Sequence, residues 1–261
     1  MKSSPAGAGV DPRLPISVAN PSPVQPAYRR LAQVGGWILR RLTKQDWGSG
    51  ENLPKSGGII VVSNHISNFD PAVMAQFLAW NGRWPRALGK SEIWDVPLLG
   101  RLATACGQIK VERNTSRARN SLVNAEEAVA AGECVLIYPE GHRTTDPHLW
   151  PMIARPGAAR LALRTGCPVI PVGQWGAQDV MPGKKLTWPR FIPRRTMHFR
   201  VGAAVELSDL YGRVDAISVT EAGARIMAAI TVLVGEIRGE QPPADRYDAR
   251  TGRRGLAPKD G

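Results

Sequence analysis

GIIVVSNHISNFDPAVMAQFLAW, residues 58–80, is the stretch from which the fold reads outward. Residues 58–63 are an apolar, β-branched run of strand length, and it stops at Ser63-Asn64-His65. Asp70-Pro71 then supplies an N-cap acid and a proline at the first helical position, opening an apolar helix over 72–80. The order is strand, loop, helix.

The alternation continues along the chain. GQIKV at 107–111, CVLIY at 134–138 and PVIPVG at 168–173 read as buried strands, and TMHFRVG at 196–202 as another. Residues 118–131 and 156–165 read as helices, each stopped by a glycine, Gly132 and Gly166. Ile226, Ile230, Leu233 and Ile237 mark a closing helix introduced by a capping box, Ser218 to Glu221. Such a pattern predicts an α/β fold: a single domain with a mixed, mainly parallel central sheet flanked by helices. Pro168 and Pro171 fit poorly in a central ladder, which points to an edge strand or a special shape that leaves room for a ligand; a plain core strand is the simpler reading.

A chain of 261 residues can bury one substantial core, and 43% hydrophobic against 21% charged residues excludes a disordered or fibrous protein. Residues 1–26, rich in Pro, Ser, Ala and Gly, and 240–261, mixing Pro, Gly, Asp and Arg, read as disordered tails around a folded domain at 27–239. Cys106, Cys134 and Cys167 form no CxxC pair, so they read as small buried thiols suited to a reducing cytoplasm. Thirty-four Lys and Arg against twenty-two acids give a net charge of +12, which favours anionic partners: nucleic acid, anionic lipid or phosphorylated substrates. No uninterrupted apolar run approaches the roughly 18 to 20 residues of a membrane span, and no secretory leader pattern opens the chain.

YRRLAQVGGWILRRL, residues 28–42, places Tyr28, Leu31, Gly35, Ile38 and Leu42 on one helical stripe with Arg29, Arg30, Arg40 and Arg41 largely off it. This basic amphipathic helix suits an anionic bilayer surface and equally suits packing on its own domain; Gly35-Gly36 weakens it either way. GKKLTWPRFIPRRT, residues 183–196, interleaves Trp188 and Phe191 with Lys184, Lys185, Arg190, Arg194 and Arg195. The interleaving fits lipid headgroups, an acidic carrier protein or a solvated loop.

Polar residues directly after the 58–63 strand fall at the carboxyl edge of a parallel sheet, where ligands bind. Five residues would set His65 and Asp70 about 140° apart on a continuous helix, so they meet only if a loop folds Asp70 back. The carboxylate can then hold one imidazole nitrogen while the other takes a proton from a hydroxyl, as a general base does. The plainer alternative is a capping aspartate and an unrelated strand-end histidine. GQIKVER, 107–113, delivers Lys110 and Arg113 at a strand end, or is a solvated basic edge. YPEGHRT, 138–144, halts a strand at Pro139 and Gly141 and presents Glu140, His142 and Arg143 on a tight turn, as an ordinary strand exit also does. Arg155-Pro156-Gly157 opens a helix whose unpaired amides, with Arg155, suit a phosphate. Val73, Phe77 and Trp80 on the 72–80 helix would wall an apolar channel, or simply fill the core.

In this order NHISNFD, GQIKVER, YPEGHRT and PVIPV resemble the four sequence blocks of the glycerolipid acyltransferases, the family of the 1-acyl-sn-glycerol-3-phosphate (lysophosphatidic acid) acyltransferases. The resemblance covers about residues 45 to 205 and includes connecting text such as KSEIWDVPLLGRL and RPGAARLALRTGCPVIPV. It implies the glycerol-3-phosphate acyltransferase-like fold, with His65 as general base, Asp70 orienting it, and no covalent acyl-enzyme. It also implies that Arg113, Glu140, Gly141 and Arg143 shape the acceptor site, with Arg155 and Lys110 assisting. The implied partners are a lysophospholipid acceptor, acyl-CoA or acyl carrier protein as donor, and an anionic membrane surface at the cytoplasmic face. The departure is His142, where the family usually has Thr or Ser; this puts the acceptor's identity, rather than the reaction, in question.

Other classes fit less well. His65, His142 and His148 match no standard metal-ligand spacing, the mechanism needs no cofactor or metal, and GAGV near the start neither follows a strand nor opens a helix, so it is no nucleotide loop. A nucleic-acid binder would share the basic charge but no recognition motif is present. A catalytically silent lipid scaffold would not need both His65 and Asp70.

Overall fold

The computed structural model describes residues 10–111, 118–183 and 188–255. In chain order the elements are α1 (Ile16–Ala19), α2 (Pro26–Leu42), β1 (Thr43–Gly48), β2 (Ile59–Ser63), α3 (Asp70–Trp80), β3 (Pro85–Lys90), α4 (Pro97–Ala105), β4 (Ile109–Val111), α5 (Ala118–Ala130) and β5 (Cys134–Ile137). There follow α6 (Pro156–Thr165), β6 (Val169–Trp175), α7 (Ala177–Val180), β7 (Arg195–Val201), α8 (Ala216–Arg238) and a small hairpin of β8 (Tyr247–Asp248) and β9 (Arg253–Arg254).

Seven strands form one sheet in the order β1-β7-β6-β2-β5-β3-β4. Every neighbouring pair is parallel except β6 with β7, which makes the sheet mixed and mainly parallel as the alternation implied. Strand β2 is buried on both faces because helices cover both. Ile60 and Val62 join the core under α6 and α8, with Ala159, Leu161, Ile226 and Ile230. Ile59 and Val61 point the other way, into Phe77, Leu78, Trp80 and Phe199 beneath α3. Each such side chain contributes on the order of 1.5 to 3 kcal/mol by leaving water.

Strand β6 is central, flanked by β2 and β7, as the plain core-strand reading has it, and three other expectations are corrected. Pro171 fits there because its carbonyl accepts from Gly202 N, one residue past the end of β7, so its missing N–H falls where that ladder has already stopped. Helix α8 is capped by Asp215, whose Oδ1 accepts from Ile217 N and Ser218 N, rather than by a Ser218–Glu221 box. Residues 10–25, expected as tail, lie on the domain: Ile16 is buried, Leu14 O accepts from the Trp80 indole, and Ser22 O from Trp84 and Arg29. The segment around β8 and β9 is likewise tied down, by Ile153 N donating to Tyr247 O and by the Arg254–Asp146 ion pair.

Helix α2 turns Tyr28, Gly36 and Leu39 inward and leaves Leu31, Val34, Trp37 and Ile38 exposed, with Arg30 and Arg41 beside them. Gly36 is needed for that seat: a Cβ there would stand 2.3 Å from the Trp80 ring. The glycine that weakens the isolated helix therefore docks it. Helix α8 is long and apolar enough to cross a membrane by length and composition, yet Ile226, Met227, Ile230 and Val234 are buried in the domain's own core.

Candidate active site

The site is built on three adjacent strand ends. Strand β2 ends at Ser63 and hands the chain to Asn64 and His65; β5 on one side ends at Ile137 and leads into Tyr138-Pro139-Glu140; β6 lies on the other side. Asn64 is locked to β6 by a reciprocal set of bonds, its Nδ2 donating to Gln174 O at 3.0 Å and its Oδ1 accepting from Gln174 N at 2.9 Å. The Gln174 amide adds a third, donating to Asn64 O at 2.6 Å.

The loop after His65 folds Asp70 back as the five-residue spacing required. His65 Nδ1 lies 2.8 Å from Asp70 Oδ2. The same oxygen accepts from Ile66 N at 2.6 Å and Ser67 N at 2.8 Å. An oxygen already accepting two amide protons is an acceptor to the third group as well, so Nδ1 carries the imidazole hydrogen and Nε2 presents a lone pair. Asp70 is 0% exposed, whereas the His65 side chain keeps 17% of its surface open. One expectation changes here. Asp70 is the first residue of α3, with Phe69 at the N-cap, and its carboxylate serves the preceding loop rather than the helix amides.

The turn after β5 braces this loop from beneath. The His65 ring stacks on Tyr138, with centroids 4.4 Å apart and planes 24° off parallel. Glu140 is 1% exposed and its two oxygens accept from His65 N at 2.8 Å and Met152 N at 3.1 Å. Burial pushes its carboxyl up to about 8 against the pull of those two amides, with the charges of Asp70 and Asp146 adding to the rise. Glu140 thus holds the backbone at His65 and presents no free oxygen to a ligand. His65 O in turn accepts from Thr144 N at 2.7 Å.

Gly141 has φ +75°, and a Cβ there would lie 2.5 Å from Arg155 Cδ, so the Arg155 side chain runs directly over this turn. Arg155 caps α6 and its backbone N donates to Pro139 O at 2.8 Å. Arg143 donates to Gly183 O at 2.9 Å, and His142 Nδ1 lies 2.8 Å from Arg143 O. The structure therefore gathers His65, Asp70, Glu140, Gly141, Arg143 and Arg155 around one turn. Lys110 is not with them: it is exposed on β4, and β5 and β3 stand between that strand and β2, three spacings of about 4.8 Å each. Arg113 lies outside the described residues, as do Lys184 and Lys185.

Asn64, Tyr138 and Gln174 are site residues that sequence reasoning passed over. Asn64 and Tyr138 stand inside the quoted motifs, but only a polar residue in an apolar strand marked Gln174. Among the described residues no group of three or more His, Cys, Asp or Glu is arranged to hold a metal ion. A cavity of about 690 Å³ lined by Lys55, Arg83, Arg86 and Glu133 lies where β3 and β5 begin, at the edge of the sheet opposite His65.

Fold and geometry define an α/β domain whose parallel-sheet edge presents an aspartate-held imidazole beside an arginine-flanked turn. Residues 48–175 match the family model described as Acyltransferase. The chain is 31% identical over 141 residues, 53% of its length and 39% of the relative's, to the chloroplastic 1-acyl-sn-glycerol-3-phosphate acyltransferase BAT2 of Brassica napus. It is 29% identical over 124 residues, 47% of each chain, to the 1-acyl-sn-glycerol-3-phosphate acyltransferase of Borreliella burgdorferi. Each match spans less than half of the relative's length. The crystal structure of the 1-acyl-sn-glycerophosphate acyltransferase PlsC from Thermotoga maritima aligns with a TM-score of 0.65 over 83% of this chain and 81% of that one, at 20% identity, and so shares the fold. Residues 48–175 are thus the part of the chain that is similar to the acyltransferase family.

Proposed function

We propose that the protein transfers a fatty acyl chain from a thioester to the free hydroxyl of a lysophosphatidic acid, giving phosphatidic acid. The observation that carries this is the His65–Asp70 pair, with Nδ1 held at 2.8 Å and Nε2 left as the base. The acceptor hydroxyl gives its proton to Nε2 as its oxygen attacks the thioester carbon. The C–S bond then breaks, and the thiolate takes the proton from the imidazolium. No acyl-enzyme forms. Asp70 stabilises the imidazolium while it lasts. Arg143 and Arg155, flanking the same turn, suit the acceptor phosphate, with Arg113 a third candidate. The names of the relatives in Brassica napus and Borreliella burgdorferi support this acceptor class.

A lipid acceptor requires access to a bilayer. The exposed Leu31, Val34, Trp37 and Ile38 of α2, edged by Arg30 and Arg41, suit an anionic membrane surface, consistent with a net charge of +12 and a peripheral site at the cytoplasmic face. Either acyl-CoA or acyl carrier protein can be the donor, and no cofactor enters the steps above. His142 favours keeping a second reading, the same chemistry on glycerol-3-phosphate, another lysophospholipid or a glycolipid. The test is an acceptor panel with one labelled acyl-CoA. Labelled phosphatidic acid as the main product supports the first reading; a different main product replaces the acceptor.

A further inference from the structure

Trp188 and Ile192 are 91% and 93% exposed, more than any other large apolar side chain among the described residues. Both stand on one loop, WPRFIPR at 188–194. Single exposed hydrophobics are ordinary in a folded protein, but these two have apolar company. The Arg194 guanidinium donates to Arg40 O and Thr43 O, each at 2.6 Å, which satisfies carbonyls at the end of α2 and fastens the loop there. The exposed Trp37 and Ile38 lie in the last two turns of that helix, so the two apolar stretches adjoin. The loop also borders the His65 site. Phe191 packs edge-on against Phe69, the residue before Asp70, with ring centroids 5.8 Å apart. Just upstream, Met181 O accepts from Ser67 Oγ at 3.0 Å and Gly183 O from Arg143 at 2.9 Å. Charge singles out the same two stretches. No Asp or Glu occurs in residues 12–45 or 180–205, so all twenty-two acids lie elsewhere, while Arg30, Arg41 and Arg190 are exposed. Pro189 and Pro193 fix their own φ angles, which lowers the ordering cost of presenting Trp188 and Ile192 to a partner.

We propose that the 188–194 loop is a wedge that inserts Trp188 and Ile192 into the headgroup–acyl boundary of an anionic bilayer, with Arg190 and Arg41 on the lipid phosphates. Tryptophan and basic side chains are the residues that anchor proteins at this depth. A nucleic acid would use the arginines and would stack on Trp188, but it offers nothing to Ile192. An acidic protein would need the cations alone. The bilayer boundary takes the whole set. Because the loop is fastened both to α2 and beside Phe69, seating it on the membrane opens the His65 site at the lipid surface. The inference deepens the membrane contact given to α2 and rests on that reading, but it is carried by different residues.

The test is co-sedimentation of the full chain with vesicles of phosphatidylcholine and phosphatidylglycerol, for the unaltered protein and for Trp188→Ala and Ile192→Ser. Each substitution should weaken binding roughly tenfold, the loss expected when one large apolar side chain no longer leaves water. Neither should move the melting temperature, because both side chains are almost fully exposed. Depth is read from quenching of tryptophan fluorescence by lipids brominated on the acyl chain. The unaltered protein should be quenched more than Trp188→Phe, and the difference belongs to Trp188 alone. Unchanged vesicle affinity in both Trp188→Ala and Ile192→Ser overturns the proposal, as does equal quenching in the unaltered protein and Trp188→Phe. A loss confined to binding of an acidic acyl carrier protein, with vesicle binding intact, also overturns it. The contact of α2 is probed separately through Trp37, so either contact can fail without the other. No arm uses turnover, so the result stands even if the chain transfers no acyl group.

Discussion

Asp70→Asn separates the charge of the carboxylate from its shape. In the protein Asp70 Oδ2 accepts from Ile66 N, Ser67 N and His65 Nδ1. An asparagine can turn either its oxygen or its amide nitrogen toward these donors. Turning the nitrogen would leave two buried N–H groups unpaired, at about 1 to 3 kcal/mol each, so the oxygen stays and His65 keeps its tautomer. What is lost is the charge. Two unit charges about 4 Å apart at an effective dielectric near 20 attract by about 4 kcal/mol, and a transition state with roughly half the proton transferred feels about half of that. At a tenfold change per 1.36 kcal/mol, turnover should fall roughly 30-fold to 10³-fold with little change in melting temperature. The assay is the initial rate of thiol release from acyl-CoA with saturating lysophosphatidic acid, paired with a thermal melt. Unchanged turnover in a folded variant would refute the role given to the pair.

Gly141→Ala forces a side chain into a φ of +75° and against Arg155, so it should destabilise the fold by about 1 to 3 kcal/mol and raise the KM for the acceptor more than that for the donor; equal rises would reject Arg155 as a phosphate ligand. The Glu140 carboxyl, raised to about 8 from an ordinary 4.5, favours the protonated folded state. That stability is complete below about pH 4.5 and is lost as pH rises through about 8, so Glu140→Gln should flatten the fall of the urea midpoint across this window; parallel curves would show that Glu140 does not titrate there. Trp37→Ala should weaken binding to anionic vesicles roughly tenfold while leaving the melting temperature unchanged, because this ring is exposed; unaltered vesicle binding would move the membrane contact away from α2.

The centre of the sheet and the outer strand β4 were legible in the sequence, whereas β1 and β3 were not. Ile59–Ser63, Cys134–Ile137 and Val169–Trp175 are buried on both faces, so they read as continuous apolar runs. Strand β1, TKQDWG, sits at the sheet edge with only Thr43 and Trp47 buried, and β3, PRALGK, starts at a proline and is half exposed; neither carries a strand's apolar signature. The pairing of His65 with Asp70 followed from spacing plus a loop. The orientation of the Asp70 carboxylate did not, because an N-cap aspartate and one that serves the preceding loop have the same local sequence. The family resemblance implies that Glu140 shapes the acceptor site, whereas both its oxygens close on backbone amides that only the tertiary fold brings near. The seat of α2 was hidden for a similar reason: Gly36 lowers helix propensity, and only the Trp80 ring explains it.

The central claim is that His65 removes the acceptor's proton in an acyl transfer to lysophosphatidic acid. It is tested most directly by incubating the purified chain and its His65→Ala variant with labelled acyl-CoA, lysophosphatidic acid and anionic vesicles, and measuring labelled phosphatidic acid. The account predicts product from the unaltered protein and a loss of roughly 10²-fold to 10⁴-fold in a variant that melts at the same temperature. Product formed at an equal rate by both proteins would contradict it.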